Sequence, residues 1–294
     1  MKKDSIAIIG LGKVGTAVGH LFRNAGYEIA AVSDRSPGAI ERGVPYTGGV
    51  VSKDPLHAAL SADALFITTP DDLIRSLCDE IAEGGGFAPG KRAVHMSGAG
   101  GLDLLESARA SGAQIATIHP LQSFVDIEGV ISSIPGSTFS ITAEGEMRDW
   151  AVRVVTDLGG IPFFVSDEDK PLYHTAACMA SNYLVALMNI VEGIYRQIGM
   201  GEKEALRSFW PLVRGTIRNI EEKGTEKSLT GPIARGDIGT IRRHLTVIRE
   251  KVPRLLALYR EMGLFTVDIA VRNSTLSEDR AGEIQSLLKG DPHE

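Results

Sequence analysis

The sequence predicts an α/β fold, an N-terminal doubly wound and mostly parallel sheet followed by an all-α region. Three observations carry this reading. From Ile6 to about Val165, short β-rich runs alternate with segments of helical spacing. The first run breaks into three glycines at fixed spacing, Gly10, Gly12 and Gly15. After Val165 the strand signals almost vanish. Such alternation builds parallel sheets with right-handed crossovers, and ligands bind outside the carboxyl ends of the strands. The 294 residues suffice for two domains, and the change of pattern divides them into 1–166 and 167–294.

Taken in order, the expected strands are Ile6–Ile9, Glu28–Ser33, Ala64–Thr68, Arg92–Met96, Ile115–Ile118, Thr138–Thr142 and Pro162–Val165. Helical spacing lies between several of them, at Val14–Ala25, Asp71–Ile81, Leu102–Ala110 and Glu146–Leu158. Beyond them, "SDEDKPLYHTAACMASNYLVALMNIVEGIYRQIG" has acidic residues before Pro171 and a glycine at 199, the start and stop of a long helix. That segment is apolar nearly all round and is expected to be central and buried. Helices at about Lys203–Glu222, kinked at Pro211, and Asp237–Met262, interrupted at Pro253, follow. The last residues form a short helix and a frayed tail.

With 33 glycines in the chain, a lone G-x-G-x-x-G says little. Here it follows a strand and opens a helix, the context a dinucleotide-binding turn requires. Gly10 permits the turn, Gly12 admits a pyrophosphate, and Gly15 lets helix and strand pack. Leu11, Lys13 and Val14 complete the loop, whose first helical N–H groups favour an anion. A tight turn that binds nothing is the alternative. The second strand ends Ser33, Asp34, Arg35, Ser36. An acidic residue there suits a ribose 2′-hydroxyl and so NAD, whereas Arg35 with two serines suits the 2′-phosphate of NADP. The donors favour NADP, with NAD open. Thr68, Thr69 and Pro70 end the next strand at the edge a cofactor would pass, although helix capping selects the same residues.

Two further strand ends carry polar residues: "AVHMSGAGG", with His95 and Ser97, and "ATIHPLQSF", with His119, Gln122 and Ser123. Each histidine is either a hydrogen-bonded structural residue or part of a site on the ligand side of the sheet. On the long helix, with His174 at zero, Ser181 falls at about −20°, Cys178 at about +40°, Asn189 at about +60° and Asn182 at about +80°. A polar stripe on a buried helix needs partners, supplied by another helix or by a substrate. Lys170 lies one turn earlier. In "LTGPIARGDIGTIRRHL", Asp237 with Thr240 reads as a helix cap, and Arg235 could offer a forked cation to a carboxylate.

The net charge of −6 is spread without a basic block, which argues against nucleic-acid or anionic-membrane binding. No uninterrupted apolar run reaches 18 residues, so no membrane-spanning helix is expected. Cys78 and Cys178 lack metal or redox spacing and are expected reduced and buried in a cytoplasmic protein. No metal site is expected.

On "GLGKVG", "TTPDD", "HMSGAGG", "HPLQSF", "YHTAACMASNYLVAL" and "TGPIARGD", the chain resembles the 6-phosphogluconate-dehydrogenase-like superfamily. Within it, it is similar to a bacterial family joining a Rossmann-like domain to a helical domain of unknown function, related to ketopantoate and pyrroline-5-carboxylate reductases. The resemblance implies hydride transfer with NADP(H) and a homodimer formed through the helical domains. In ketopantoate reductases a Lys-x-x-x-Asn pair and a second Asn act on the long helix. Matching "SNYLVAL" to that run puts Asn182 on the second Asn, Cys178 on the first and His174 on the lysine. The departures at 174 and 178 mean that the substrate cannot simply be carried over. The resulting expectation is a small carbonyl or 2-oxo acid held between the domains. His174 or Lys170 would donate the proton and Asn182 would orient the substrate. Ser97 and His119 would line the nicotinamide side, while Arg235, Gln122 and Cys178 would contact the substrate. An imine reductase, a prephenate-type dehydrogenase or a non-enzymatic NADP(H) sensor are the alternatives.

Overall fold

The computed structural model describes residues 3–290. Its sheet has eight strands: β1 (Ile6–Ile9), β2 (Ile29–Ser33), β3 (Val50–Val51), β4 (Ala64–Ile67), β5 (Arg92–His95), β6 (Gln114–Pro120), β7 (Thr138–Ala143) and β8 (Ile161–Phe164). They lie in the order β3-β2-β1-β4-β5-β6-β7-β8. Every neighbouring pair is parallel except β6 with β7. The expected α/β class is therefore the observed one. The carboxyl ends of β1, β2, β4, β5 and β6 share one edge of the sheet, which is what positions the candidate site.

Seven helices accompany these strands: α1 (Lys13–Asn24), α2 (Pro37–Thr47), α3 (Pro55–Leu60), α4 (Asp71–Glu83), α5 (Glu106–Ala110), α6 (Ile127–Ser133) and α7 (Glu146–Asp157). The two-residue period of the strands splits the core into two layers. On one face Ile6, Ile8 and Phe66 pack with Phe22 of α1 and Trp150 of α7. On the other, Ala7, Ile9 and Ile67 pack with Ile74 and Leu77 of α4 and with Leu105. Helices α2 and α3 and strand β3 were not expected, yet their caps are local. Ser36 accepts from the Ala39 N–H, Asp54 accepts from the Leu56 N–H, and a proline follows each cap.

Gly10 has φ +104°, and a β-carbon there would lie 2.8 Å from the Thr68 carbonyl carbon. One at Gly15 would lie 2.0 Å from the Gly10 carbonyl oxygen, so only glycine lets α1 sit this close to β1.

Helices α8 (Lys170–Cys178) and α9 (Leu184–Gln197) flank a π-helical turn at Met179–Tyr183 and form one 28-residue rod. Its expected burial is not observed within this chain. Leu172 is 73% exposed, Met179 58%, Tyr183 64% and Val185 69%. Apolar composition alone does not determine whether the chain's own elements pack over a helix. The rod is also long and apolar enough to cross a membrane, with a mean hydropathy of 1.3. Counting uninterrupted apolar runs missed this because single polar residues punctuate it. Lys170, at its start, is fully buried beside the sheet.

The chain forms two compact units, 1–188 and 189–294. Residues 170–188 of the rod thus fall in the first unit, past the division at 166/167 drawn from the sequence, and there Lys170 and Tyr173 reach Thr117 and His119 of β6. The second unit holds α10 (Glu202–Lys223), α11 (Ile238–Lys251), α12 (Leu256–Arg272) and α13 (Glu278–Lys289). Its core joins Ile241 and Leu245 to Val267, Ile284 and Leu288. Helix α10 runs through Pro211 without a break, whereas Pro253 starts a 3₁₀ turn between α11 and α12.

Candidate functional site

The first part of the site is a cavity of about 400 Å³ over the ends of β1, β2 and β4. Gly10, Gly12, Ser33, Asp34, Arg35, Thr68, Thr69 and Pro70 line it, all of them residues the sequence singles out for a dinucleotide. Leu11 is buried beneath the loop, and Lys13 and Val14 form the first turn of α1. That turn has no side-chain cap and no acidic residue, since Gly12 precedes it. It offers N–H groups and the positive end of the helix dipole to an anion. A β-carbon at Gly12 would meet nothing within 4 Å, so the space in front of this turn is open. Thr69 Oγ1 is buried and without a partner among the described residues, a polar atom in want of a ligand.

The Asp34 carboxylate serves the loop itself: Oδ2 accepts from the Leu11 N–H at 2.6 Å and Oδ1 from the Ser36 N–H at 2.7 Å. Ser36 Oγ is used as the cap of α2. Arg35 is exposed, and Lys53, which follows β3, lines the same cavity. Neither cation has a hydrogen-bond or ion-pair partner among the described residues. Sequence reasoning missed Lys53 together with the two-residue strand that places it. It also missed the apolar wall of Pro55, Leu73 and Leu77 and, beside it, Glu80.

The second part lies at the ends of β5 and β6. Ser97 Oγ donates to Asp71 Oδ2 at 2.6 Å and accepts from the Gly100 N–H at 2.8 Å. It is therefore tied to α4 and its own loop, and does not line the cavity as expected of a cofactor contact. His95 Nε2 lies 2.9 Å from the Gly101 carbonyl, while Nδ1 accepts from the Ser97 N–H. Burial pushes its pKa down to about 4, which keeps this ring neutral. Beneath Ser97, the Lys170 ammonium donates to Thr117 Oγ1 at 2.8 Å and to the Ser97 carbonyl at 3.3 Å. Burial lowers its pKa to about 8, opposed by the charges of Asp167 and Asp71.

His119 Nδ1 lies 3.2 Å from the Tyr173 hydroxyl. The ring meets Tyr173 and His174 edge-on, with centroids 5.9 and 6.1 Å away. Burial first, then the Lys170 charge and His174, push His119 down to about 4. Gly98 makes this possible, because a β-carbon there would lie 2.6 Å from His174 Cδ2 and 2.9 Å from His119 Nε2. Half-buried His174 also faces the Cys178 thiol, at 3.8 Å from Nδ1. Tyr173 and Thr117 went unread in the sequence as ordinary members of a helix and a strand.

Within the first unit, Gln122, Ser181 and Asn182 make no contact with this cluster among the described residues. Gln122 spends its amide N–H groups on the Ser133 carbonyl and Ser137 Oγ, which ties the chain after β6 to the start of β7. Ser181 and Asn182 are exposed, with no side-chain hydrogen bond among the described residues. The π turn spends an extra residue, so the uniform wheel that aligned them with His174 no longer applies. Arg235 belongs to the second unit, exposed on the turn before α11, where Asp237 caps the helix through the Thr240 N–H. Both cysteines are free; Cys78 is buried, whereas Cys178 is only partly so. No cluster of three or more His, Cys, Asp or Glu side chains suited to a metal occurs among the described residues.

Residues 1–120 match the Rossmann-like domain family, and residues 137–266 match DUF2520, a domain of unknown function. No curated protein matches. Solved structures similar to the chain include a Bacteroides fragilis protein provisionally described as an NADP oxidoreductase (TM-score 0.72, 18% identity, 89% of this chain and 96% of that one). Protein TM1727 from Thermotoga maritima is similar too (TM-score 0.71, 22% identity, 92% and 99%). A reductive aminase from Aspergillus terreus, in complex with NADPH and ethyl-5-oxohexanoate, is a third (TM-score 0.61, 16% identity, 98% and 93%). At these identities the likeness shows the fold: a Rossmann-like sheet followed by a helical region.

Proposed function

We propose that the chain is an NADP(H)-dependent oxidoreductase acting on a small carbonyl or imine compound. The observation that carries this reading is the pairing, in one unit, of the glycine-loop cavity with the histidine cluster at neighbouring strand ends. The residues fit the cofactor. The first turn of α1 and Gly12 would take the pyrophosphate, and Thr69 Oγ1 would gain its missing partner. Arg35 and Lys53 would take the 2′-phosphate, since Asp34 is already held by two backbone N–H groups. NADPH, when bound, supplies the hydride.

His174 gives the proton to the substrate oxygen or nitrogen. Its imidazole is only half-buried and can meet a substrate, whereas Lys170 is sealed from solvent and cannot reach one. His119, itself held by Tyr173, meets the His174 ring edge-on, and Ser97 fixes the loop that carries Gly98. The similar A. terreus enzyme is a reductive aminase, which supports including imines beside carbonyls. A second copy of the chain would cover the exposed apolar rod, making a homodimer. The test is a panel of 2-oxo acids and cyclic imines with NADPH, followed by absorbance. His174→Ala should abolish turnover of the active substrate and leave NADPH binding unchanged; unchanged turnover would refute the assignment.

A further inference from the structure

The mechanism above leaves one buried charge unused. Lys170 is fully buried, and its ammonium rests on a hydroxyl and a carbonyl instead of a carboxylate. Removing a charge from water without a contacting counter-charge is costly, so such a group calls for a reason. Its two contacts join the Ser97 carbonyl after β5 to Thr117 of β6, the strands that carry His95 and His119. We propose that Lys170 is the positioning cation of this site: it clamps the two strand ends, and its charge keeps His119 a neutral hydrogen-bond partner of Tyr173 beside His174. The proposal rests on the oxidoreductase reading only for the role given to His174.

Two imidazoles in edge contact do not readily carry a proton each. Whether His119 takes one is set by the charges around it. His119 is faced by Asp71 from α4, by His95 from β5, and by Lys170, Tyr173 and His174 from α8. Asp71 favours a proton on His119, while Lys170, His174 and His95 oppose it. Lys170 is the largest of the opposing charges. With Lys170 charged, His119 stays neutral and accepts or donates one hydrogen bond with Tyr173.

Histidine ring ¹⁵N NMR across pH 4–9 tests this without turnover. Lys170→Met removes the charge at similar length. The His119 midpoint should rise by about one pH unit, the size of effect a close like charge exerts. Thr117→Val keeps the charge and removes its hydroxyl partner, and should move the His119 midpoint much less. An unchanged midpoint in Lys170→Met would overturn the proposal, as would an equal shift in both variants, which marks loosened packing. If the methionine variant does not fold, Lys170→Gln makes the same comparison. A protein that shows the shift yet binds no NADPH would refute the oxidoreductase reading and leave the positioning role standing.

Discussion

Replacing Lys170 with methionine should change how stability depends on pH, by an amount the structure sets. The lysine titrates near 8 in the folded chain against 10.5 when free. Between those values the unfolded chain binds more protons, so wild-type stability rises with pH as the penalty for burying the charge disappears. Below about pH 8 the penalty is complete, roughly 3 kcal/mol. The methionine variant carries none of it. The variant's stability relative to wild type should therefore fall by roughly 3 kcal/mol between pH 7 and pH 11. The offset at pH 7 depends on how the orphaned Thr117 hydroxyl and Ser97 carbonyl find new partners; the slope does not. Urea unfolding of both proteins at several pH values reads it directly. A difference that is constant with pH would show that Lys170 is not a buried, depressed cation and would undo the argument built on it.

Other predictions concern the glycine loop, the cation pair and the histidines. Gly12→Ala should fold as wild type does, because its β-carbon meets no protein atom, yet it should lose NADPH affinity. Gly15→Ala should lower thermal stability markedly, by about 2 kcal/mol or more, since its β-carbon collides with the Gly10 carbonyl. Arg35→Ala should weaken NADPH binding by about tenfold to a hundredfold and Lys53→Ala by less, with NADH binding unaffected, as titration would show. His95 and His119 are held near 4 against 6.5 when free, so stability should fall as pH drops from 6.5 toward 4. In His95→Gln that acid-side loss, followed by thermal melts, should be smaller.

Much of the fold could be read from the sequence because its cause is local. Short, mainly apolar runs that stop at a glycine or a polar residue gave seven of the strands to within a few residues. What escaped was short: Val50–Val51 is too brief for a period to register, and Lys53 escaped with it. The Ser36-Pro37 and Asp54-Pro55 pairs were readable helix starts, the first obscured by Gly38, Gly43 and Pro45 and the second by the shortness of its six-residue helix. Site chemistry was legible only as residue types at strand ends. Gln122 and His119 stand three residues apart in the same motif, yet one braces the chain after β6 and the other faces His174. Partner choice of that kind depends on side chains far away in sequence. The long rod failed for a different reason, since an apolar pattern does not say whether the chain's own elements lie over that face.

The account turns on a dinucleotide with a 2′-phosphate lying over Gly12 between Arg35 and Lys53. Fluorescence titration with NADPH and NADH, with 2′,5′-ADP as competitor, tests it most directly. Saturable NADPH binding about tenfold or more tighter than NADH, displaced by 2′,5′-ADP, is the expected result. Binding of neither nucleotide, or NADH binding as tightly as NADPH, would contradict it.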